Sequence, residues 1–367
     1  MKNSFVDNRI RTAGRLSCHI FIFLIVSVFF AALTGCSKNT EQALTGAESE
    51  ASSEGDEDLI VIGFSQIGAE SDWRIANTQS MQATFTREKG YDLIFDDAQQ
   101  KQSNQITAIR KFIQQDVNYI VLAPVTEEGW DTVLGEARDA GIPVIIVDRK
   151  VATRDEELFT CWVGSDFKLE GRKVCKWLSE FCNEKGIPQN SLKIVDIQGT
   201  EGSSAQIGRT NGLIESAWEN GWTILDRAPG EYTQAKGREA ASRLLEQYPD
   251  LNVIYCENDN EAFGAIEAVE AAGRQVGYDI AAGQIMVLSF DGVSDAAIKK
   301  ARSGKIACIG ECNPTHGPRV EKIIKDLEQG MEIKKFDYVD EEIFSGDDTV
   351  KTIEVDSKGY PITILGE

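Results

Sequence analysis

The chain has 367 residues, more than one ordinary domain needs, which sets an expectation of two domains of modest size. Hydrophobic residues at 42% and charged residues at 26% are those of a soluble globular protein. A formal net charge of −21 repels phosphate and anionic lipid surfaces, so nucleic acid is set aside as a partner.

The N-terminus departs from that composition. Lys2, Arg9, Arg11 and Arg15 precede an apolar run from Ile20 to Leu33. The run is short for a spanning helix, which needs about 20 residues, but it suits the core of a secretory leader. Leu33-Thr34-Gly35-Cys36 ends it and resembles the bacterial lipobox, in which the cysteine receives a lipid and becomes the new N-terminus. Residues 1–35 are therefore expected to be a lipoprotein signal peptide and Cys36 the lipidation site. Losing those residues would move the net charge from −21 to −24, since four cations and Asp7 go with them. Residues 36–57 are rich in Ser, Glu, Thr, Gly and Ala and read as a flexible tether. The expected location is outside the cytoplasmic membrane, anchored to it by lipid.

From residue 59 strand and helix patterns alternate. Leu59–Phe64 is an apolar β run; Asp72–Lys89 follows with helical spacing at Trp73, Ala76, Met81 and Phe85, stopped by Gly90. Leu93–Phe95, Tyr119–Leu122 and Val144–Val147 read as strands, separated by helices around Ile106–Ile113 and Trp130–Ala140. A second series is expected to start around Cys161–Asp166. It continues with helices at Leu169–Cys182, Ala205–Asn220, Thr233–Tyr248 and Glu261–Ala272. Its strands are Lys193–Ile197, Thr223–Leu225, Val253–Tyr255 and Ile285–Phe290. Ser294–Arg302 and Pro314–Glu328 close the series as helices around an Ile306–Ile309 strand. Such alternation implies an α/β protein with helices on both faces of parallel sheets. Two doubly wound lobes joined by short crossover hinge strands, with a cleft between them, are the simplest architecture.

Catalytic patterns are missing. The two histidines, His19 in the leader and His316 at a helix start, leave little for a His-dependent triad or a His-rich zinc site. No GxSxG, GxxxxGK[ST] or GxGxxG turn follows a strand, so neither an enzyme nor a cofactor is expected. Cys161, Cys175, Cys182, Cys256, Cys308 and Cys312 show no CxxC or Cys/His spacing, and no metal is expected from them. Their redox state stays open. Cys175 and Cys182 lie on one helix face too far apart to bridge.

Polar groups do cluster at strand ends, where an open α/β sheet forms its ligand crevice. Asp148-Arg149 follows the Val144–Val147 strand, Asn258-Asp259 the Val253–Tyr255 strand, and Asp291-Gly292 the Ile285–Phe290 strand. Carboxylate, amide and guanidinium together can bond both the lone pairs and the protons of a polyol. Asp259 is also placed to cap the following helix. Ser71-Asp72-Trp73-Arg74 adds an aromatic face for the C–H side of a sugar ring.

At these residues the chain resembles the ribose/galactose-type periplasmic binding proteins, the type I substrate-binding components of sugar ABC importers. Within that family it is most similar to the galactofuranose-binding branch. The resemblance runs from about Leu59 to the end. It is carried by Gly63-Phe-Ser-Gln-Ile-Gly-Ala-Glu-Ser-Asp-Trp-Arg74, Gln99-Gln-Lys-Gln102, Ala123-Pro-Val125 with Gly129-Trp130, Val147-Asp-Arg149, Gln198-Gly-Thr200, Asn258-Asp259 and Ser289-Phe-Asp-Gly292. It implies ligand contacts from Glu70, Trp73, Arg74, Asp148 and Arg149 in one lobe. In the other it implies Arg209, Tyr232, Asn258 and Asp291, with Asn313 at the last crossover. Residues 58–162 with 314–342 would form the N-terminal lobe, and 163–313 with 343–367 the C-terminal lobe. The implied partners are a monosaccharide (galactofuranose-like, or another pentose or hexose), a membrane permease and a cytoplasmic ATPase, with the chain acting as a monomer. A sugar-sensing receptor for a membrane kinase or chemoreceptor is the alternative. A transcription regulator of the same fold would need a helix-turn-helix where the leader stands.

Overall fold

A computed structural model describes residues 59–366; the leader, the tether and Cys36 lie outside the described residues. Two mostly parallel sheets dominate, the second with β12 antiparallel to β10. The first is built from β1 (Ile60–Gln66), β2 (Tyr91–Asp97), β3 (Tyr119–Leu122), β4 (Val144–Val147), β5 (Cys161–Gly164) and β11 (Phe336–Tyr338), in the order β2-β1-β3-β4-β5-β11. Its central strands are apolar at every position and fully buried, as expected where helices cover both faces. The helices are α1 (Asp72–Thr84), α2 (Gln102–Gln114), α3 (Asp131–Asp139) and α9 (Gly317–Glu328).

The second sheet contains β6 (Lys193–Gln198), β7 (Thr223–Pro229), β8 (Val253–Cys256), β9 (Met286–Asp291), β10 (Cys308–Glu311), β12 (Ile343–Ser345) and β15 (Thr363–Ile364). Their order is β7-β6-β8-β9-β10-β12-β15. The β1–β5 and β6–β10 orders match, so each sheet reverses direction beside its first strand and opens a crevice there. Helices α4 (Phe167–Lys185), α5 (Ser204–Asn220), α6 (Gln234–Gln247), α7 (Asp259–Ala271) and α8 (Asp295–Arg302) accompany the second sheet, with a small hairpin of β13 (Thr352–Val355) and β14 (Lys358–Pro361). Three crossings join the sheets: after β5, between β10 and α9, and between β11 and β12.

Several expectations need adjusting. The Cys161–Asp166 run does not start a second series: its strand pairs in parallel with β4 and belongs to the first sheet. The first helix stops at Thr84, and residues 87–89 form a separate 3-10 turn before Gly90 ends it at φ 88°. The late strand runs Cys308–Glu311, because Cys308 registers with Leu288 and carries the ladder to Asp291. Strands β11 to β15 had no expectation at all; they are two to four residues long, too short for a period to show. All six cysteines of the body are buried free thiols.

Two helices of the second lobe approach unusually closely. A Cβ on Gly171 would lie 2.9 Å from the Arg209 carbonyl, and one on Gly212 2.8 Å from the Lys168 carbonyl. Glycine at both positions lets α4 and α5 cross in backbone contact, which brings Glu170 against Arg209.

Candidate functional site

The carboxyl ends of the strands in both sheets face one cavity. Glu70, Ser71, Trp73, Arg74, Asp148 and Arg149 line it from the first lobe. Phe167, Ala205, Arg209, Tyr232, Asn258 and Asp291 line it from the second, with Cys312 at a crossover. About 290 Å³ of atom-free space lies among them, counted together with its opening to solvent. The rims are joined: Asp72 N donates to Asn260 Oδ1 at 3.0 Å and Lys150 N to Ser204 Oγ at 2.8 Å. Glu127 N donates to the Gly202 carbonyl at 3.0 Å. The lobes are closed.

On the first side, Ser71 caps α1 by accepting from Arg74 N, which fixes where the Arg74 side chain leaves the helix. Its guanidinium then donates to Glu70 Oε1 (3.1 Å), Gln66 Oε1 (3.2 Å) and Asp148 Oδ2 (2.7 Å). Burial works against this charge, but Asp148 and Glu70 outweigh it and hold Arg74 above its usual value. Arg149 is less well supplied. It donates to the Val125 carbonyl at 2.9 Å, stands 3.8 Å from Glu70, and lies 5.1 Å over the Tyr232 ring of the opposite lobe. Burial first, and then the Arg74 charge, lower its pKa. Trp73 donates its indole N–H to the Cys312 carbonyl at 2.7 Å, so the ring is pinned as one wall.

On the second side, Arg209 donates to Glu170 Oε2 at 2.8 Å, lies 3.4 Å from Asp291, and bonds the Glu257 carbonyl. Burial pushes Asp291 well above the usual carboxylate range, an effect Arg209 opposes. Tyr232 sits in a turn where it and Glu231 both have positive φ, 60° and 52°. That conformation costs a non-glycine residue about 1–2 kcal/mol, and its effect is to aim the ring into the cavity. Gly199 permits the placement, since a Cβ there would come within 1.8 Å of the ring. Two buried oxygens of the lining, Glu70 Oε2 and Tyr232 Oη, have no protein partner. A buried acceptor and a buried hydroxyl left open are groups that a ligand would satisfy.

Nine of the ten residues expected to contact ligand line this cavity; Asn313 does not. Its side chain turns to Glu311 (3.2 Å) and Thr315, while Cys312 faces the cavity. Adjacent residues of an extended crossover point opposite ways, so only one of the two can face inward. Helix capping also falls one residue earlier than expected. Asn258 caps α7 by accepting from Glu261 N at 2.8 Å, while Asp259 takes Ser289 Oγ (2.6 Å) and Gly292 N (2.8 Å). Asn258 donates its amide N–H to the Tyr232 carbonyl at 3.1 Å, so it holds the strained turn as well as lining the cavity.

Phe167, Cys312 and the supporting Glu170 were missed. A signal for Phe167 exists: Ser165-Asp166-Phe167 repeats Ser71-Asp72-Trp73, and both aromatics start a helix and meet in one apolar cluster with Tyr232.

A two-lobed α/β body whose closed cleft holds paired charges and open hydrogen-bonding groups is built to enclose a small molecule. Its relatives narrow the class. Residues 62–338 match the model of the periplasmic binding protein domain, and the chain belongs to that family of sugar-binding proteins of ABC transport. It is 34% identical over 301 residues to the galactofuranose-binding protein YtfQ of Escherichia coli, covering 80% of this chain and 91% of that one. A solved protein of Mycobacterium smegmatis in complex with β-D-fucofuranose is 35% identical, with TM-score 0.73 over 78% of this chain and 91% of its own. The periplasmic binding protein of the arabinose ABC transporter of Shewanella sp. ANA-3, bound to α- and β-L-arabinofuranose, is 36% identical, with TM-score 0.72 over 79% and 93%. These relatives are substrate-binding proteins, and this chain is a binding protein rather than an enzyme.

Proposed function

We propose that the protein is a lipid-anchored extracytoplasmic receptor that closes on one neutral monosaccharide in its furanose form, galactofuranose-like, and delivers it to an ABC importer. The observation that carries the reading is the balance of charge in the cavity. Arg74 is matched by Asp148 and Glu70, and Arg209 by Glu170 and Asp291, all buried. A sugar acid or phosphate would enter against those carboxylates, whereas a polyol can accept from Arg149 and donate to Glu70 Oε2. Trp73 from one lobe and Phe167 from the other offer apolar surface to the ring. Furanose sugars in three relatives favour that ring form.

Lobe closure follows from the ligand's differential affinity. Hydroxyls that bond both lobes are satisfied only when the cleft is shut, so the sugar raises the closed population that a permease and its ATPase recognise. The leader and Cys36 support export and lipid attachment, with the chain working as a monomer. Among the described residues no helix is long and apolar enough to cross a membrane.

A thermal-shift screen tests the reading. Methyl galactofuranosides, L-arabinose and D-fucose should stabilise the protein by about 4 kcal/mol at a thousand times the dissociation constant. Stabilisation by galacturonate but by none of these sugars would overturn it. Mass spectrometry of the membrane fraction should find a diacylglyceryl group on Cys36; an unmodified thiol there removes the anchor.

A further inference from the structure

Beside the sugar cavity, and sharing Cys312 with its wall, the hinge gathers a second set of donors. A carboxylate oxygen of Glu170, the Cys312 Sγ and a carboxylate oxygen of Glu341 lie within 4.8 Å of one another. Glu170 is 2% exposed, as is Cys312, and Glu341 is half-buried at the edge of the group. They come from α4, the β10–α9 crossing and the β11–β12 crossing, so the cluster exists only where the second lobe meets two hinge strands.

Each donor is held by a neighbour. Glu170 Oε2 takes Arg209 Nε at 2.8 Å. Glu341 Oε1 takes Ser165 Oγ at 2.6 Å and Asn313 N at 2.8 Å. Ser165 Oγ is also 3.4 Å from the Cys312 sulfur. These are the outer contacts that orient metal ligands. The remaining oxygen of Glu170, Oε1, is buried with no N–H or hydroxyl donor, and the Glu170 and Glu341 carboxyls hydrogen-bond to each other, which takes one proton between them that an ion would displace. A buried carboxylate oxygen that faces a thiol and a second carboxylate is a group a cation would satisfy.

We propose that Glu170, Cys312 and Glu341 form a binding site for a thiophilic divalent cation of the zinc type. A thiolate with two carboxylate oxygens suits a borderline-soft ion and disfavours calcium or magnesium, which take oxygen alone. Bonds of about 2.0–2.3 Å require these atoms to draw in slightly, and three protein ligands leave a fourth position open. The three anionic ligands are balanced by the ion together with Arg209. A bound ion ties α4 to two of the three hinge crossings and restrains lobe opening. The site escapes sequence inspection because its ligands are scattered across 172 positions, from 170 to 341, with no CxxC or His spacing.

Zinc chloride titrated into the sugar-free mature protein, followed by calorimetry, should show one site per chain. Cys312→Ser and Glu341→Gln should each weaken it at least ten-fold, whereas Cys182→Ser, a buried cysteine remote from the group, should leave it unchanged. Cadmium should give a thiolate charge-transfer absorbance that Cys312→Ser abolishes. Anomalous scattering at the zinc edge from zinc-soaked wild-type crystals needs no variant and should place the ion among the three side chains. Absence of stoichiometric uptake, uptake that survives both substitutions, or an anomalous peak elsewhere would overturn the assignment. None of these measurements uses sugar, so they stand or fall apart from the proposed ligand.

Discussion

Removing the Tyr232 hydroxyl should separate binding from stability. Its Oη is buried in the cavity without a partner, while the residue's main chain is fixed by Glu261 Oε1 at 2.7 Å and by Asn258 Nδ2 at 3.1 Å. Tyr232→Phe keeps the ring against Gly199 and under Arg149, and so keeps the packing of the wall. What is lost is one neutral hydrogen bond to the sugar, a net of about 0.5–1.5 kcal/mol, or roughly two- to twelve-fold in dissociation constant. The sugar-free protein has no bond to lose, so its unfolding free energy should stay within about 0.5 kcal/mol or rise. Isothermal titration at 25 °C and urea unfolding of the same preparations read the two quantities. Unchanged affinity would refute the claim that Oη points at the ligand; a stability loss above about 1 kcal/mol would mean that the hydroxyl already has a protein partner.

Other expectations arise from the same cavity and the core behind it. Asp148→Ala removes one of the two carboxylates that hold Arg74, and Arg149→Ala strips a donor facing the ligand; each should cost about 2–5 kcal/mol of sugar affinity by calorimetry, and wild-type affinity in either removes that residue from the site. Gly199→Ala forces a methyl into the Tyr232 ring and should lower both unfolding free energy and affinity, by about 1–3 kcal/mol for overpacking; a crystal structure with the ring unmoved would contradict this. Asp196, behind the site with one oxygen unpartnered, is raised by burial to about 7 from 3.8. The folded state therefore holds its proton more tightly than the unfolded state. The stability this supplies is complete below about pH 3.8 and is lost as pH rises through 7. Asp196→Asn should thus gain on wild type by about 2–3 kcal/mol between pH 5 and pH 8 in urea unfolding. Parallel stability curves would show that the carboxyl titrates normally.

What the sequence disclosed and what it hid divide along physical lines. Strand-end residues such as Asp148, Asn258 and Asp291 were legible because apolar runs locate the carboxyl ends of parallel strands, and crevices form there. Their partnerships were not. Arg74 meets Asp148 across 74 positions and Arg209 meets Glu170 across 39, distances that only the sheet order and the α4–α5 crossing close. Hence the paired charges of the cavity, which argue for a neutral ligand, come from the structure alone. Asn313 lies off the cavity for the same reason: choosing which of two neighbours faces inward needs the direction of an irregular crossover, which no periodicity encodes. Asp259 was misread as a cap because Asn258 and Asp259 are both good capping residues, and backbone geometry decided between them. Strands β11 to β15 carry two to four residues each; β11, β12 and β15 add to sheets already formed by the rest of the chain, and β13 pairs only with β14.

The most direct trial of the account is a crystal structure of the protein grown with methyl β-D-galactofuranoside. The account predicts one sugar ring between Trp73 and Phe167, with hydroxyls within hydrogen-bonding distance of Glu70, Arg149 and Tyr232 Oη at once, so that both lobes share a single ligand. A sugar held by one lobe alone, or seated outside this cavity, would contradict it.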